Sequence, residues 1–387
     1  MDQNVAFYNN PKNREIIYQV LVLAMIFLAV TFVLDNMFTN IENRGIKTGF
    51  AFLEERSGFG IAQTLIEFDE ADSHFRVFIV GLLNTLLVSI LGIVTASLLG
   101  LFIGVGRLSS NWIVSKLCMS YIEIFRNIPV LLQILFWYNV VLAALNPPRQ
   151  SVEFFGSVFL NNRGLYIPKP ILESGFMYIA ISFILALVAV CYLAKWAKTR
   201  QDATGQTFPL ISASLGLIVA ATTLTYFLSG SPISLEISEL RGFNFVGGYT
   251  LIPELLALWF ALSIYTATYI AEAVRAGIEA ISKGQTEAAL SLGLKEGLII
   301  KKVVLPQALR VIIPPVINQY LNLAKNSSLA TAIGYPELVT VFSGTSLNQV
   351  GQAVEIILMT MAVYLVLSIV ISFLMNYVND KLQIQER

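Results

Sequence analysis

The chain has little charge and few of the residues that bind metals or form disulfides. Lysine, arginine, aspartate and glutamate make up 13% of its 387 residues, against 56% apolar residues, with two cysteines and one histidine. A water-soluble protein needs a larger charged surface, so this composition indicates an integral membrane protein. The formal net charge of zero, with no basic patch beyond the positive loops, excludes a nucleic-acid partner.

Cysteine and histidine are scarce, so we expect neither a disulfide nor a metal site. Cys118 and Cys191 fall in or beside apolar segments and form no Cys-X-X-Cys pattern. His74 has no cysteine near it, so a zinc site there would need carboxylates alone as co-ligands. We interpret the cysteines as small buried residues and His74 as a surface histidine.

The sequence also lacks the motifs of an enzyme. No G-x-x-x-x-G-K-[ST] occurs, so the chain cannot cradle ATP phosphates by itself. No nucleophile and base, and no cluster of metal ligands, fall together within the apolar segments, which argues against an intramembrane enzyme. We therefore predict no catalytic residue, no metal and no cofactor in this chain.

Eight apolar segments have the roughly 20 residues that a helix needs to cross about 30 Å of hydrocarbon. One of them, in Asn84–Arg107, is rich in small residues that favour close helix packing. Lysine and arginine concentrate on one side under this eight-span alternation, which places both termini in the cytoplasm. The predicted spans are residues 16–34, 77–105, 117–145, 176–194, 209–228, 250–271, 311–334 and 354–376.

The loops on the opposite side are residues 35–76, 146–175, 229–249 and 335–353. The first of them mixes acidic residues with the apolar runs 49–53 and 59–66. This mixture fits a helix lying in the membrane interface, and a plain solvated loop fits it equally well.

A helix–turn–helix is predicted on the cytoplasmic side, between the sixth and seventh spans. Ser282 and Gln285 form a capping-box pattern that starts the first helix, and Gly293 ends it, because glycine accepts a left-handed conformation. A second helix follows and runs to Pro306. Small residues on the first helix permit docking in a groove of a partner, although an ordinary cytoplasmic loop is the alternative. The first helix carries Glu287, Ala288, Ala289 and Leu292.

Charged residues within spans are costly and are therefore candidates for function. Glu123 and Arg126 lie one helical turn apart, as do Glu272 and Arg275, so each pair can form an ion pair with a structural or coupling role. Pro129 weakens the helix after the first pair.

A run of four polar residues interrupts the seventh span. Such a run can unwind a helix at membrane depth, as substrate sites of transporters often do, and either substrate contact or backbone repair explains it. Together with Arg126 these residues are the candidates for the substrate path: Lys325, Asn326, Ser327 and Ser328.

Several of these stretches resemble one family. The pattern of EAA at 287–289, Gly293, then Val303, Leu305 and Pro306 is similar to the EAA loop of ABC importer permeases, with valine where isoleucine is commoner. The polar amino-acid branch of that family is further matched by NTLLVS, EIFRNIPVLLQ, YIAEAVRAGI, SKGQTEAA and KNSSLATAIG, and the resemblance covers roughly residues 80–376.

The resemblance implies an all-α membrane protein with the ABC importer type I transmembrane fold, about eight transmembrane helices and a cytoplasmic coupling helix. The long outer loop and the added spans look like the general L-amino-acid permease subgroup. We expect an anchor helix and outer loop at 1–76, a permease domain at 77–376 with an inserted span pair at 176–228, and a cytoplasmic tail at 377–387.

The implied function is import of L-amino acids across the inner membrane. The implied partners are a homologous second permease, two ATP-binding subunits, which alone bind ATP, and a periplasmic amino-acid-binding protein, besides the amino acid and membrane lipid. In this family the helix around Glu287–Gly293 docks on the ATPase. An ion-coupled secondary transporter or channel is the alternative, but it needs no docking motif.

Overall fold

The structure, a computed structural model, describes residues 11–43, 45 and 47–382. Its described part consists mainly of helices, with short strands in two loops. The predicted tail is partly helical, since the last helix continues to Leu382, and residues 383–387 of that tail lie outside the described range. The helices are α1 (Pro11–Asn43), α2 (His74–Arg107), α3 (Trp112–Asn127), α4 (Val130–Phe136), α5 (Phe176–Thr204), α6 (Leu210–Leu228), α7 (Pro253–Glu279), α8 (Lys283–Ser291), α9 (Glu296–Ile299), α10 (Leu305–Asn326), α11 (Leu347–Val350) and α12 (Ala353–Leu382).

Six of these helices, α1, α2, α5, α6, α7 and α12, are long and apolar enough to cross a membrane. The predicted third span is a bent pair, because α3 and the helical stretch Val130–Leu142 meet at 100°, and counting it gives seven. The predicted seventh span corresponds to α10, whose polar residues, such as Gln307, Arg310 and Asn318, lower its hydropathy. The apolar pattern therefore located the helices, and it did not show the bend.

Strands occur in the two loops that flank the α5–α6 pair. A four-stranded antiparallel sheet has the order β1-β2-β3-β8, and two hairpins, β4–β5 and β6–β7, accompany it. No strand was predicted from the sequence in these loops, and each strand has only three or four residues. The strands are β1 (Val152–Phe154), β2 (Val158–Asn161), β3 (Gly164–Ile167), β4 (Lys169–Leu172), β5 (Ile233–Glu236), β6 (Glu239–Arg241), β7 (Asn244–Val246) and β8 (Tyr249–Leu251).

The helical chain divides into two compact units. The first contains the residues up to Ile90, Ile281–Thr331 and the residues from Pro336 onward. Its core includes Phe52, Leu338, Phe342 and Ile356, and α10 packs against α12. The second contains Leu91–Ala280 and Ala332–Tyr335, where α7 contacts α3 and α4, and α5 packs against α6.

The segment between α1 and α2 folds over the start of α2 rather than forming an interfacial helix. Among the described residues between α1 and α2, only Ala51–Glu54 is helical, as a 3₁₀ turn, and the run 59–66 is irregular. The interpretation of His74 as a surface histidine is wrong, since it is buried with its ring Nδ1 2.9 Å from Ser346 Oγ. The loop covers it because the Ser57 amide donates to the Asp72 carbonyl at 2.8 Å.

The cysteines are both free, and one of them differs from the expectation. Cys118 is half-buried, whereas Cys191 on α5 is exposed. The helix α5 packs against α6 and leaves most of its surface outward, so a residue in an apolar span need not be buried by protein. Lipid contact gives an apolar side chain the same benefit as a protein core.

Candidate functional site

The helix–turn–helix after α7 has the predicted turn. The helix α8 begins after Ser282, whose side chain makes no capping bond, so that part of the capping-box prediction is wrong. Gly293 has φ +74°, as predicted. Its amide donates to the Leu290 carbonyl at 2.8 Å, and the Leu294 amide donates to the Ala289 carbonyl at 3.2 Å. These two bonds make a Schellman motif, which satisfies carbonyls at the helix end.

The predicted docking residues do not all share one face. Ala289 is buried within the first unit at 5% exposure, whereas Glu287 and Ala288 are exposed and Leu292 is 80% exposed. Ala289 also supplies the carbonyl that closes the turn. Of the predicted docking residues, Glu287, Ala288 and Leu292 are therefore accessible, whereas Ala289 supports the turn from the buried side.

The second helix of this segment does not stop at Pro306. The chain continues from α9 through a π-helical stretch, Ile300–Val304, into α10, and Pro306 lies in the first turn of α10. Proline lacks an amide hydrogen and its ring crowds the carbonyl four residues earlier. The wider π turn accommodates that carbonyl, so the expected helix end becomes a local change of winding.

The polar run Lys325–Ser328 changes the helix as expected. The α-helix α10 ends at Asn326, and a 3₁₀ segment, Ser327–Ile333, follows. Ser327 is fully buried and its hydroxyl donates to the Ala324 carbonyl at 2.7 Å, while Ser328 donates to the Lys325 carbonyl at 2.8 Å. Both serine hydroxyls therefore bond backbone carbonyls at the end of α10. The Lys325 side chain is exposed.

A buried carboxylate that sequence reasoning missed lies in the same unit. Glu337 has no exposed surface, and its two oxygens accept bonds from the Val339 and Thr340 amides and from Tyr364, at 2.8–2.9 Å. Burial raises the pKa of the Glu337 carboxyl, and these donors act in the opposite direction. The available signal was an acid within the apolar stretch Tyr335–Phe342, but the prediction assigned that acid to the outer loop 335–353.

In the second unit, Glu272 and Arg275 form the predicted ion pair, and a third charge joins them. Arg107 Nη1 lies 3.0 Å from Glu272 Oε2, and Arg275 also contacts Glu279. Arg107 ends α2 and lies 165 residues before its partner, so its position in the sequence does not indicate this contact. The side chains of the three central residues are 21–26% exposed, which makes this a partly shielded network at the end of α7.

Arg126 does not pair with Glu123 in the described part of the chain. Its guanidinium lies 5.4 Å from the centre of the Tyr269 ring, and the Tyr269 hydroxyl is 3.0 Å from that of Tyr265. The end of α3 turns Arg126 toward α7, so a cation–π contact replaces the expected ion pair. Arg126 stays a predicted residue of the substrate path, and its contact in the structure is the cation–π contact with Tyr269.

The break between α3 and α4 is closed by one side chain. Pro129 has no amide to donate, and Gln133, which is buried, donates through Nε2 to the Phe125 and Ile128 carbonyls at 2.8 and 2.9 Å. The helix weakening expected at Pro129 is therefore a full bend. Gln133 supplies the hydrogen bonds that two carbonyls lose at this bend. The sequence signal was a glutamine four residues after the proline in an apolar run.

Comparison with known proteins gives one consistent result. Residues 96–384 match the family described as binding-protein-dependent transport system inner membrane component. YhdX of Escherichia coli (strain K12), which carries the provisional name of an amino-acid ABC transporter permease protein, is 52% identical over 383 residues, covering 98% of this chain and 97% of that protein.

Two further relatives are similar over almost their whole length. The general L-amino acid transport system permease protein AapQ of Rhizobium johnstonii is 48% identical, covering 98% of this chain and 94% of its own. The glutamate/glutamine/aspartate/asparagine transport system permease protein BztB of Rhodobacter capsulatus is 41% identical, covering 97% and 95%. The chain therefore belongs to the family of binding-protein-dependent transport system inner membrane components, which are multi-pass membrane proteins.

Proposed function

We propose that this chain is a permease subunit of an ATP-driven importer that moves L-amino acids into the cytoplasm. The observation that carries the proposal is the helix–turn–helix at 283–304, with its exposed Leu292 and its Schellman turn at Gly293. An exposed leucine next to a rigid turn suits a helix that docks in a groove of a partner protein. The names of the relatives support amino acids as the transported class.

The proposed assembly contains this chain, a homologous second permease, two ATPase subunits and a soluble amino-acid-binding protein. In it, α8 transmits ATPase closure through Glu287, Ala288, Leu292 and the Gly293 turn, while Ala289 and Pro306 shape the segment. ATP is bound by the partner, and this chain contributes no catalytic residue or cofactor. The loop that carries α8 and both termini lie in the cytoplasm, as the distribution of lysine and arginine predicts.

Within the membrane, the proposed substrate path includes Arg126 and the polar residues 325–328. An amino acid carries a carboxylate and an ammonium group, so a cation such as Lys325 or Arg126 can bind the carboxylate. The network of Arg107, Glu272 and Arg275 is proposed to fix the end of α7, which leads into the coupling segment. The parts 1–76, 77–376 and 377–387, with the inserted pair 176–228, are the proposed domains.

The test is uptake by the purified complex in lipid vesicles. We expect labelled L-amino acids to accumulate only with the binding protein and hydrolysable ATP, and ionophores that collapse ion gradients to leave the rate unchanged. Uptake that follows a proton or sodium gradient without ATP would instead support a secondary transporter. Competition among unlabelled amino acids then defines the specificity.

A further inference from the structure

The loop that carries Glu337 is fixed to α2 and α12 within the first unit. Asn84 Nδ2 donates to the Pro336 carbonyl at 2.8 Å, and the Leu338 amide donates to Thr85 Oγ1 at 3.1 Å. A Cβ at Gly81 would lie 2.9 Å from Leu338 Cα, so the loop rests directly on the backbone of α2. These contacts fix residues 336–338 and do not involve the Glu337 side chain.

The four donors around Glu337 match an ionised carboxylate. Two amide hydrogens and the hydroxyls of Thr340 and Tyr364 point at its two oxygens, with Thr340 Oγ1 at 3.0 Å. A carboxylate accepts at all of these positions, whereas a glutamine side chain in the same place turns an amide NH₂ toward a donor. The surroundings of Glu337 therefore match the hydrogen-bonding pattern of a carboxylate as well as its shape.

A chain of hydroxyl contacts leads from this carboxylate to the polar run after α10. Thr340 Oγ1 is 3.2 Å from Thr331 Oγ1, and Thr331 donates to the Ser328 carbonyl at 3.1 Å. Ser328 in turn donates to the Lys325 carbonyl. Because each hydroxyl has one hydrogen and a carboxylate is the stronger acceptor, Thr340 donates to Glu337, and its oxygen is left to accept from Thr331. The single hydrogen of Thr331 is then shared between the Thr340 oxygen and the Ser328 carbonyl as a three-centre bond.

We infer that Glu337 is a positioning residue for the proposed substrate path. Its carboxylate orients the Thr340 hydroxyl, and through Thr331 it holds the 3₁₀ segment that follows Lys325 in one geometry. Glu337 itself is buried and touches no substrate in this role. The inference rests on the proposed function, since it names the residue that shapes the path which that function requires.

Two variants and one control test this role in the complete complex. Glu337→Gln replaces the acceptor, and Thr340→Val removes only the hydroxyl that passes the orientation to Thr331. Glu355→Gln is the control, because Glu355 is an acid of α12 that bonds to the Gly49 amide and lies outside this chain of contacts. We expect both test variants to raise KM for uptake about tenfold, with ATPase stimulation by loaded binding protein retained, and the control to change neither.

A second readout needs no transport. With Cys118 and Cys191 replaced by serine, a cysteine introduced by Lys325→Cys is labelled with a water-soluble thiol reagent, and its labelling rate reports the geometry of the segment. We expect Glu337→Gln and Thr340→Val to change that rate several-fold relative to Glu355→Gln. If Glu337→Gln fails to assemble, Thr340→Val decides: a labelling rate and KM equal to those of the control would overturn the inference.

The two proposals fail separately. A complex that takes up no amino acid would refute the proposed function, while the labelling comparison would still decide whether Glu337 positions the segment. Normal uptake together with unchanged labelling in both test variants would refute the positioning role alone.

Discussion

At the scale of single residues, Gly293 carries the sharpest prediction. A β-branched residue resists φ +74°, at a cost of about 1–3 kcal/mol, although the space around Gly293 is open. Gly293→Val should therefore change the angle between the two helices and abolish coupled transport. The measurement is ATP hydrolysis stimulated by loaded binding protein, with a pull-down of the ATPase.

The matched control for this variant is Gly205→Val. Gly205 ends α5 at φ +70°, also with no atom within 4 Å, so the substitution imposes the same backbone strain away from α8. We expect Gly205→Val to retain stimulation. Equal loss in both variants would mean that strain alone, and not the docking turn, explains the defect.

Gln133 is the second residue whose change should be informative. Gln133→Leu leaves the Phe125 and Ile128 carbonyls without the donor that closes the bend, at a cost of about 1 kcal/mol for each lost hydrogen bond. We expect a lower unfolding temperature in detergent. Asn139→Leu is the control, because Asn139 donates to the Leu135 carbonyl from an exposed position, and an equal effect would contradict the role of Gln133.

The roles of some residues could be predicted from their neighbours in the sequence, and the roles of others could not. Gly293 and the Glu272–Arg275 pair follow from spacing along one segment, so the sequence sufficed for their geometry. Arg107 and the partners of Glu337 come from distant segments, and Tyr364 is 27 residues from that carboxylate. Spacing along one chain contains no information about such tertiary contacts.

At the scale of elements, α2 and α7 depend on glycine for their close contact. A Cβ at Gly104 would lie 2.6 Å from the Ala271 carbonyl oxygen and 2.8 Å from Val274 Cβ. Gly104→Val should push the helices apart, at a cost of about 1–3 kcal/mol, and weaken the Arg107–Glu272 pair nearby. The measurement is thermal unfolding of the purified protein.

Gly216→Val is the control for this change, because Gly216 is a helical glycine of α6 with open space around it. We expect its unfolding temperature to stay close to that of the wild type. A loss as large as that of Gly104→Val would contradict the close-packing explanation.

The positions of helices could be predicted from the sequence where hydropathy alone determines them. The apolar runs gave the positions of α1, α2, α7 and α12, and small residues in α2 predicted a packed helix. The bend after α3 depends on where Gln133 reaches, and the sheet β1-β2-β3-β8 pairs residues as distant as Leu165 and Leu251. Short strands with distant partners leave little trace in a local pattern.

At the scale of the whole molecule, we expect the chain to co-purify with an ATPase and with a second, homologous permease. This expectation rests on the family match and on the proposed ATP-driven import, since a chain without a phosphate loop would need a separate ATPase for it. Isolation in mild detergent followed by mass spectrometry identifies the subunits. A single chain that transports after reconstitution would contradict this prediction.

The pairing of Leu172 with Ile233 allows the α5–α6 pair to be excised. The chain leaves this hairpin for α5 and α6 and returns to it at a directly opposed residue, where the Cα atoms of an antiparallel pair lie about 5 Å apart. A two-residue Asn-Gly turn could therefore replace residues 173–232 without moving either strand. Because two crossings are lost together, every later helix keeps its direction through the bilayer. The α5–α6 pair can therefore be removed as one unit without changing the orientation of the helices that follow it.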